Sequence, residues 1–290
     1  MSAYQETKIH GTHAFPYVVY MGLLPEYISG FPFHWHEEME IIAVREGTVD
    51  VTVRNTEYVV HSGDLVLIQP QMIHAIKQHG EEKALYFNVL FRFSMLESGA
   101  DDVCREKYLE PLSSHKLLMP ELIDVEHPLN QVIMPQVQSL LQEPRQQRHQ
   151  EELLIKARLF EIMHHIMPYC SRSDKSREYE DIIYDKLKRS LEYMEENFVD
   201  NISVEEVAAI SNYSESHFSK LFKQLTGISF AQYLKNYRLE MAADQLLNST
   251  GKVSEIAMSC GFSNLSYFSR AFCHKYGVTP SEFRQQHRQS

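Results

Sequence analysis

Three histidines and a glutamate are the residues of this chain best suited to hold a cation. His34-Trp35-His36 is followed by Glu40 and Gly47, and later by Gly63-Asp64, Pro70 and His74. On a strand, positions i and i+2 share a face, so His34 and His36 point the same way, and Glu40 joins them if no bulge intervenes. Three imidazoles and a carboxylate are ligands for Zn, Ni, Mn or Fe, with a last position open to a substrate or effector. The same four side chains can instead line a polar pocket with no metal. Both readings stand on the sequence.

A second chemistry-bearing set lies near the C-terminal end. Ser216, Ser219, Lys220 and Lys223 recur on one side of a segment whose other side is Phe218, Leu221, Phe222 and Leu225. Ser266, Tyr267, Ser269, Arg270, His274 and Lys275 do the same opposite Leu265, Phe268, Phe272 and Tyr276. Apolar residues at spacings of three and four mark amphipathic helices. Hydroxyls and cations facing outward suit base edges and phosphates, and Arg270 is the candidate for bidentate guanine readout.

The elements that must position these groups are two similar units. Ser203 to Ile210 is a short helix whose Ser203 and Glu206 fit a capping box. Ser211-Asn212-Tyr213 makes a turn, Ser214 caps the second helix, and Gly227 ends it. Val253 to Cys260 is again a short helix, with Ser254 free to cap. Gly261 suits a turn that needs φ > 0, Ser263 is the expected cap of the next helix, Gly277 stops it, and Pro280 can open another. A short helix, a turn and a polar-faced second helix make a helix-turn-helix, whose second helix enters a major groove. The units are expected at about 203–226 and 253–276. Phe230 to Asn248 joins them as a helix of roughly 28 Å at 1.5 Å per residue. That approaches the ~34 Å between successive major-groove faces of B-DNA.

Arg238, Ala242, Leu246-Leu247, Ile256-Ala257, Gly261-Phe262, Tyr267 to Arg270, Phe272, Gly277 and Thr279-Pro280 together resemble the AraC/XylS-type DNA-binding domain, over roughly Leu187 to Arg288. The phenyl rings are assigned to its core, Arg238 and Glu240 to structural roles, and Arg238 to bracing the two helix-turn-helix units. The HxHxxxE set followed by Gly47 resembles the cupin barrel, in which such a set points into the lumen. The glycine expected six residues before His34 is replaced by Ile28, and Met72 stands at the second motif's internal glycine. The resemblance implies a transcription regulator, not an enzyme. A small effector, often a sugar, would enter the barrel, with or without a divalent metal at His34, His36, Glu40 and His74. It also implies double-stranded DNA as partner, dimerisation through the helices after the barrel, and RNA polymerase contact if the protein activates. By facing and by resemblance, Ser216, Ser219, Lys220, Ser266, Tyr267 and Arg270 approach base edges, while Lys223, His274 and Lys275 meet phosphates. Two alternatives stay open: a metal-dependent cupin enzyme with a helical appendage, and a DNA-binding protein whose barrel only dimerises.

The expected fold is a two-domain α+β chain, a cupin-like β-barrel with flanking helices followed by an all-α domain of two helix-turn-helix units. Residues 1–170 form the effector and dimerisation region, with the barrel at about 15–93 and helices at about 101–169. A polar linker follows at 171–178, and the DNA-binding domain occupies 179–290. Runs at 15–20, 39–44, 48–54, 57–60, 65–68 and 84–93 read as strands punctuated by Gly47, Asn55 and Gly63-Asp64, and their regular spacing alone suggests a sandwich or a small barrel. Leu129 to Leu141 is a helix starting or kinking at Pro135. Gln142 to Gln150 is a polar connection, and Glu151 to Met167 is an amphipathic helix with a broad apolar stripe. On that helix Leu154, Arg158, Glu161 and His165 are assigned the mixed polar side, and Leu153, Ala157, Phe160, His164 and Met167 the other, with Leu159, Ile162, Met163 and Ile166 widening the stripe.

At 290 residues the chain is long enough for two cores. No apolar run of membrane-spanning length and no apolar leader is present, which points to a cytoplasmic protein without a membrane partner. Cys104, Cys170, Cys260 and Cys273 are scattered and read as free thiols. The net charge of −11 is unevenly placed. From Asn201 onward nine Lys or Arg stand against seven Asp or Glu, so this part carries +2 and the rest −13. A weakly basic reader implies modest affinity per chain and strong salt dependence.

Overall fold

Alternation along β3 (Met39–Glu46) shows how the N-terminal part is layered. The computed structural model describes residues 10–25, 30–98, 101–141, 151–173, 175–226 and 228–287. Besides β3 the strands are β1 (Tyr17–Leu24), β2 (Gly30–His34), β4 (Thr48–Val53), β5 (Thr56–His61), β6 (Leu65–Ile68), β7 (His74–Gln78) and β8 (Ala84–Phe91). After them come α1 (Glu110–Ser113), β9 (Leu117–Leu118), β10 (Leu122–Ile123), α2 (Pro128–Leu141), α3 (Glu151–Ile166) and β11 (Ser171–Arg172). Five strands pair in the order β1-β8-β3-β6-β10, and four in the order β2-β7-β4-β5.

Successive strand residues face opposite ways, so a strand covered on both sides is apolar throughout. Ile42 and Val44 of β3 pack with Val49, Val51, Val53 and Ile76 of the four-stranded sheet. Met39, Ile41 and Ala43 pack with Ile133 and Val137 of α2 and Leu159, Ile162 and Ile166 of α3. The layers are therefore sheet, sheet, helices. The expected barrel is two antiparallel sheets face to face, and among the described residues no pairing closes them into a cylinder. Gly47 makes the sharp passage from β3 to β4 at φ +76°, where a Cβ would lie 2.1 Å from the Lys83 carbonyl oxygen.

The runs read as strands omit β2 and β7, because Pro32 and the His/Lys/Gln content hide their pattern, and only the His34–His36 spacing touches the end of β2. Helix α2 spans Pro128–Leu141 with Pro135 inside it, rather than starting there. On α3 the buried stripe is Leu159, Ile162, Met163 and Ile166, whereas Leu153, Leu154 and Phe160 are exposed, a narrower inner face than expected. The polar connection expected at 142–150 and the helix-ending Gly227 lie outside the described residues.

The chain divides into two units near residue 181. At the expected 171–178 linker, β11 pairs with β9, and α4 (Lys175–Asn197) is helical from its third residue after β11. Hydroxyl and charged residues gave no strand signal there; only pairing with Leu117–Leu118 makes one. The second unit continues with α5 (Val204–Ile210), α6 (Glu215–Thr226), α7 (Phe230–Asn248), α8 (Val253–Ser259), α9 (Leu265–Tyr276) and α10 (Pro280–His287). No described helix is long and apolar enough to cross a membrane.

Candidate nucleic-acid interface and histidine cluster

Each helix-turn-helix is built from caps and rings. Ser203 accepts the Glu206 backbone N–H, and the Glu206 carboxylate accepts the Ser203 N–H at 2.7 Å, so α5 starts with a reciprocal capping box. Ser214 accepts the His217 N–H at the start of α6. In the second unit the cap is Asn264, not Ser263; its Oδ1 accepts the Tyr267 N–H at 2.9 Å. Ser254 lies inside α8, whose first turn is held by Glu255 accepting the Lys252 N–H. Gly277 ends α9 at φ +74°. Pro280 opens α10.

The rings lie inward, as assigned. Phe218 and Phe222 of α6 contact Phe230, and Phe222 also contacts Tyr233 of α7. Phe268 and Phe272 of α9 join Leu239, Ala242 and Leu246 of α7. All four phenyl rings of α6 and α9 are at most 2% exposed. Burial of each contributes about 1.5–3 kcal/mol. Helix α7 thus serves both cores, its first turns in one and its later turns in the other.

Arg238 ties α7 to the connection between α4 and α5. Its Nε–H donates to the Phe198 carbonyl at 2.6 Å and a terminal N–H donates to the Asp200 carbonyl at 2.7 Å. Gly261 adopts φ +80°, and a Cβ there would lie 2.8 Å from both Arg238 Nε and the Phe198 oxygen. Glycine is therefore required twice over, by its dihedral and by the guanidinium against it.

Ser216, Ser219, Lys220 and Lys223 are exposed on α6, and Ser266, Tyr267, Arg270 and His274 on α9. Arg270 folds back by one turn, its Nε–H donating to the Ser266 carbonyl at 3.3 Å. Lys275 departs from the sequence reading. Its Nζ donates to Glu240 at 2.6 Å and to the Asn236 carbonyl at 3.2 Å, which makes it a brace between α9 and α7 rather than a free cation. Sequence reasoning also passed over Gln232 and Lys235, treating α7 as a rod. They line a cleft of about 520 Å³ with Tyr267, Arg270 and His274. Their spacing with Asn236, at i, i+3 and i+4 on one polar face, was the available signal.

In the N-terminal unit the four expected residues do come together. The ligand atoms of His34, His36, Glu40 and His74 lie within 4.8 Å of one another, and all four residues are buried. They do not share one strand face. His34 ends β2 and pairs with His74 on β7, His36 lies past the strand end, and Glu40 projects from β3 in the other sheet. The His36 Nδ1 lies 3.0 Å from the Glu38 carbonyl and the His74 Nδ1 lies 2.8 Å from the Met72 carbonyl. A carbonyl only accepts, so each Nδ1 carries the hydrogen. The Nε2 atoms then turn to Glu40 Oε2, at 3.1 Å from His36 and 2.9 Å from His74. The latter contact is close but lacks hydrogen-bond geometry, so the buried His74 Nε2 makes no hydrogen bond. Burial opposes ionisation of Glu40, but His74 and His36 outweigh it and hold its carboxyl below the usual range. A buried carboxylate facing two imidazole Nε2 atoms is a donor set for a cation, whether protons or a divalent metal. Glu38, itself buried, bonds to Arg92 at 2.7 Å and stands behind His36. His10, which no sequence pattern marks, places its ring 5.7 Å from that of His36.

Residues 27–163 match the description AraC-like ligand binding domain, and residues 207–286 match Helix-turn-helix domain. The chain is 27% identical over 287 residues to the HTH-type transcriptional activator RhaS of Escherichia coli O139:H28 (strain E24377A / ETEC), across 96% of this chain and 97% of that protein. Identity and coverage are the same for RhaS of Shigella boydii serotype 18 (strain CDC 3083-94 / BS512). In fold the chain is similar to ToxT from Vibrio cholerae, with a TM-score of 0.50 and 14% identity over 93% of this chain and 98% of that one. These matches set aside the reading as a cupin enzyme with an appendage.

Proposed function

The chain belongs to the AraC-type transcription regulators, an effector-binding domain joined to a DNA-binding one, and from that premise we propose which residues meet DNA and which meet the effector. Ser216, Ser219 and Lys220 of α6, and Ser266, Tyr267 and Arg270 of α9, approach base edges. Lys223 and His274 meet phosphates. The observation that carries this reading is that both helices bury every phenyl ring while these groups stand exposed. Two such chains bind as a dimer, since the residues from Asn201 onward, at only +2, supply little electrostatic affinity. The relatives named activators support a role in raising transcription, with RNA polymerase as a further partner. Mobility shift on promoter DNA tests the reading. Retarded complexes at nanomolar protein, weakened by substitution of Arg270, are expected; no complex on any promoter of the genome at low salt would refute it.

The effector, a small polar molecule such as a sugar, is held at His34, His36, Glu40 and His74, and binding shifts the populations of dimer geometries. The facing of two Nε2 atoms on one buried carboxylate favours a second reading, in which these four hold a divalent metal. Bound there, the metal would supply a Lewis-acid site for an effector oxygen. The side chains contribute orientation, Nδ1–H of His36 and of His74 being fixed by main-chain carbonyls. Metal analysis of protein purified without a His tag separates the two. About one Zn, Ni, Mn or Fe per chain supports the metal; a content near zero, unaltered by added metal, eliminates it.

A further inference from the structure

We propose a second small-molecule site in the effector domain, on the outer face of the five-stranded sheet, that takes an organic anion with an apolar body. A cavity of about 860 Å³ opens there, lined by Met21, Ala43, Phe87 and the α2 residues Met134 and Leu141, with Arg45 among its walls. It is on the opposite side of the sheet from the histidine cluster. Glu40, Ile42 and Val44 turn toward the other sheet, whereas Ala43 turns toward α2 and α3. Met21, Phe87 and Ala43 form one cross-strand row, and the small Ala43 makes the hollow between larger neighbours.

The cation at the wall is placed by the backbone. Val44 pairs with Tyr86 and Glu46 with Leu85, so Arg45 is the extra residue of a β-bulge. Bulges re-aim side chains, and this one sets the guanidinium 6.0 Å from the centre of the Phe87 ring. The bulge is pinned: Ser62 Oγ–H donates to the Arg45 carbonyl at 2.6 Å, and the Gly63 N–H donates to the Val44 carbonyl at 2.8 Å. Among the described residues no carboxylate pairs with Arg45. Asn130, also in the wall, is 5% exposed and donates its amide hydrogens to the Gly63 and Ile123 carbonyls. An apolar hollow with one unpaired cation and few neutral polar groups is the form of a site for an amphipathic anion. A nucleotide would need more cations, and a sugar more donors and acceptors.

Octanoate and the neutral octanol are suitable probes of the full-length protein, read by NMR of isotope-labelled methionine methyls. Octanoate is expected to shift Met21 and Met134 and to leave Met72, beside the histidine cluster, unmoved. Arg45→Gln changes an exposed residue, so the fold is expected to survive. It should weaken octanoate by at least about tenfold, as for loss of a hydrogen bond to a charged group, and leave octanol unchanged. The proposal is overturned if Met72 shifts while Met21 and Met134 do not. It is equally overturned if octanoate below its micellar concentration moves none of them, or if the variant binds octanoate as the parent does. None of these outcomes bears on DNA binding or on metal content, so failure here leaves the other readings standing.

Discussion

A surface cation can read a base, meet a phosphate or brace two helices, and partners in the structure distinguish the three. Arg270 is exposed and keeps its terminal guanidinium nitrogens out of contact with any carboxylate among the described residues. Arg270→Ala should therefore cost roughly 1–3 kcal/mol of binding at one base position, measured by mobility shift on an operator substituted base by base. Lys223→Ala should weaken every sequence alike and lower the salt slope by about one. Lys275→Met should instead lower the melting temperature and leave the salt slope unchanged, since its charge is answered by Glu240. That last distinction was not legible in the sequence. Lys275 follows His274 on a polar face, and only the approach of α7, 35 residues earlier, shows its partner. The histidine set was legible by type, but its geometry was not. His36 and Glu40 come from a chain crossing between sheets, which residue spacing cannot report.

At the level of helices and strands, caps and apolar periodicity carried most of the information. Both ends of α7 and the capping box of α5 follow from local chemistry, which is why the linking helix was readable to the residue. The strands β2 and β7 and the β11–β9 pair depend on partners distant in sequence, and no local pattern encodes them. Gly261→Ala should destabilise the second helix-turn-helix by roughly 1–3 kcal/mol, read by chemical denaturation, because a strained dihedral meets the Arg238 guanidinium. Hydrogen bonds from Ser203 hold the Glu206 carboxyl below its ordinary value of 4.5. A carboxyl lowered by folding stabilises above its unfolded value and ceases to do so as pH falls toward its folded value. Glu206→Gln should accordingly flatten the loss of helix content between about pH 5 and 3, followed by circular dichroism.

For the molecule as a whole, the division of charge and chemistry is legible in the sequence, with the acidic residues gathered ahead of a weakly basic reader. What periodicity could not supply was the packing of α7 into both cores, which makes the two readers one body. That body is expected to address two successive grooves, and the direct measurement is hydroxyl-radical footprinting on an operator selected from random DNA. Two protected patches per chain on one face of the duplex, about 10 base pairs apart, are predicted, one lost with Lys220→Ala and Ser216→Ala and the other with Arg270→Ala. A single protected patch per chain, or one unaltered by any of these substitutions, would contradict it.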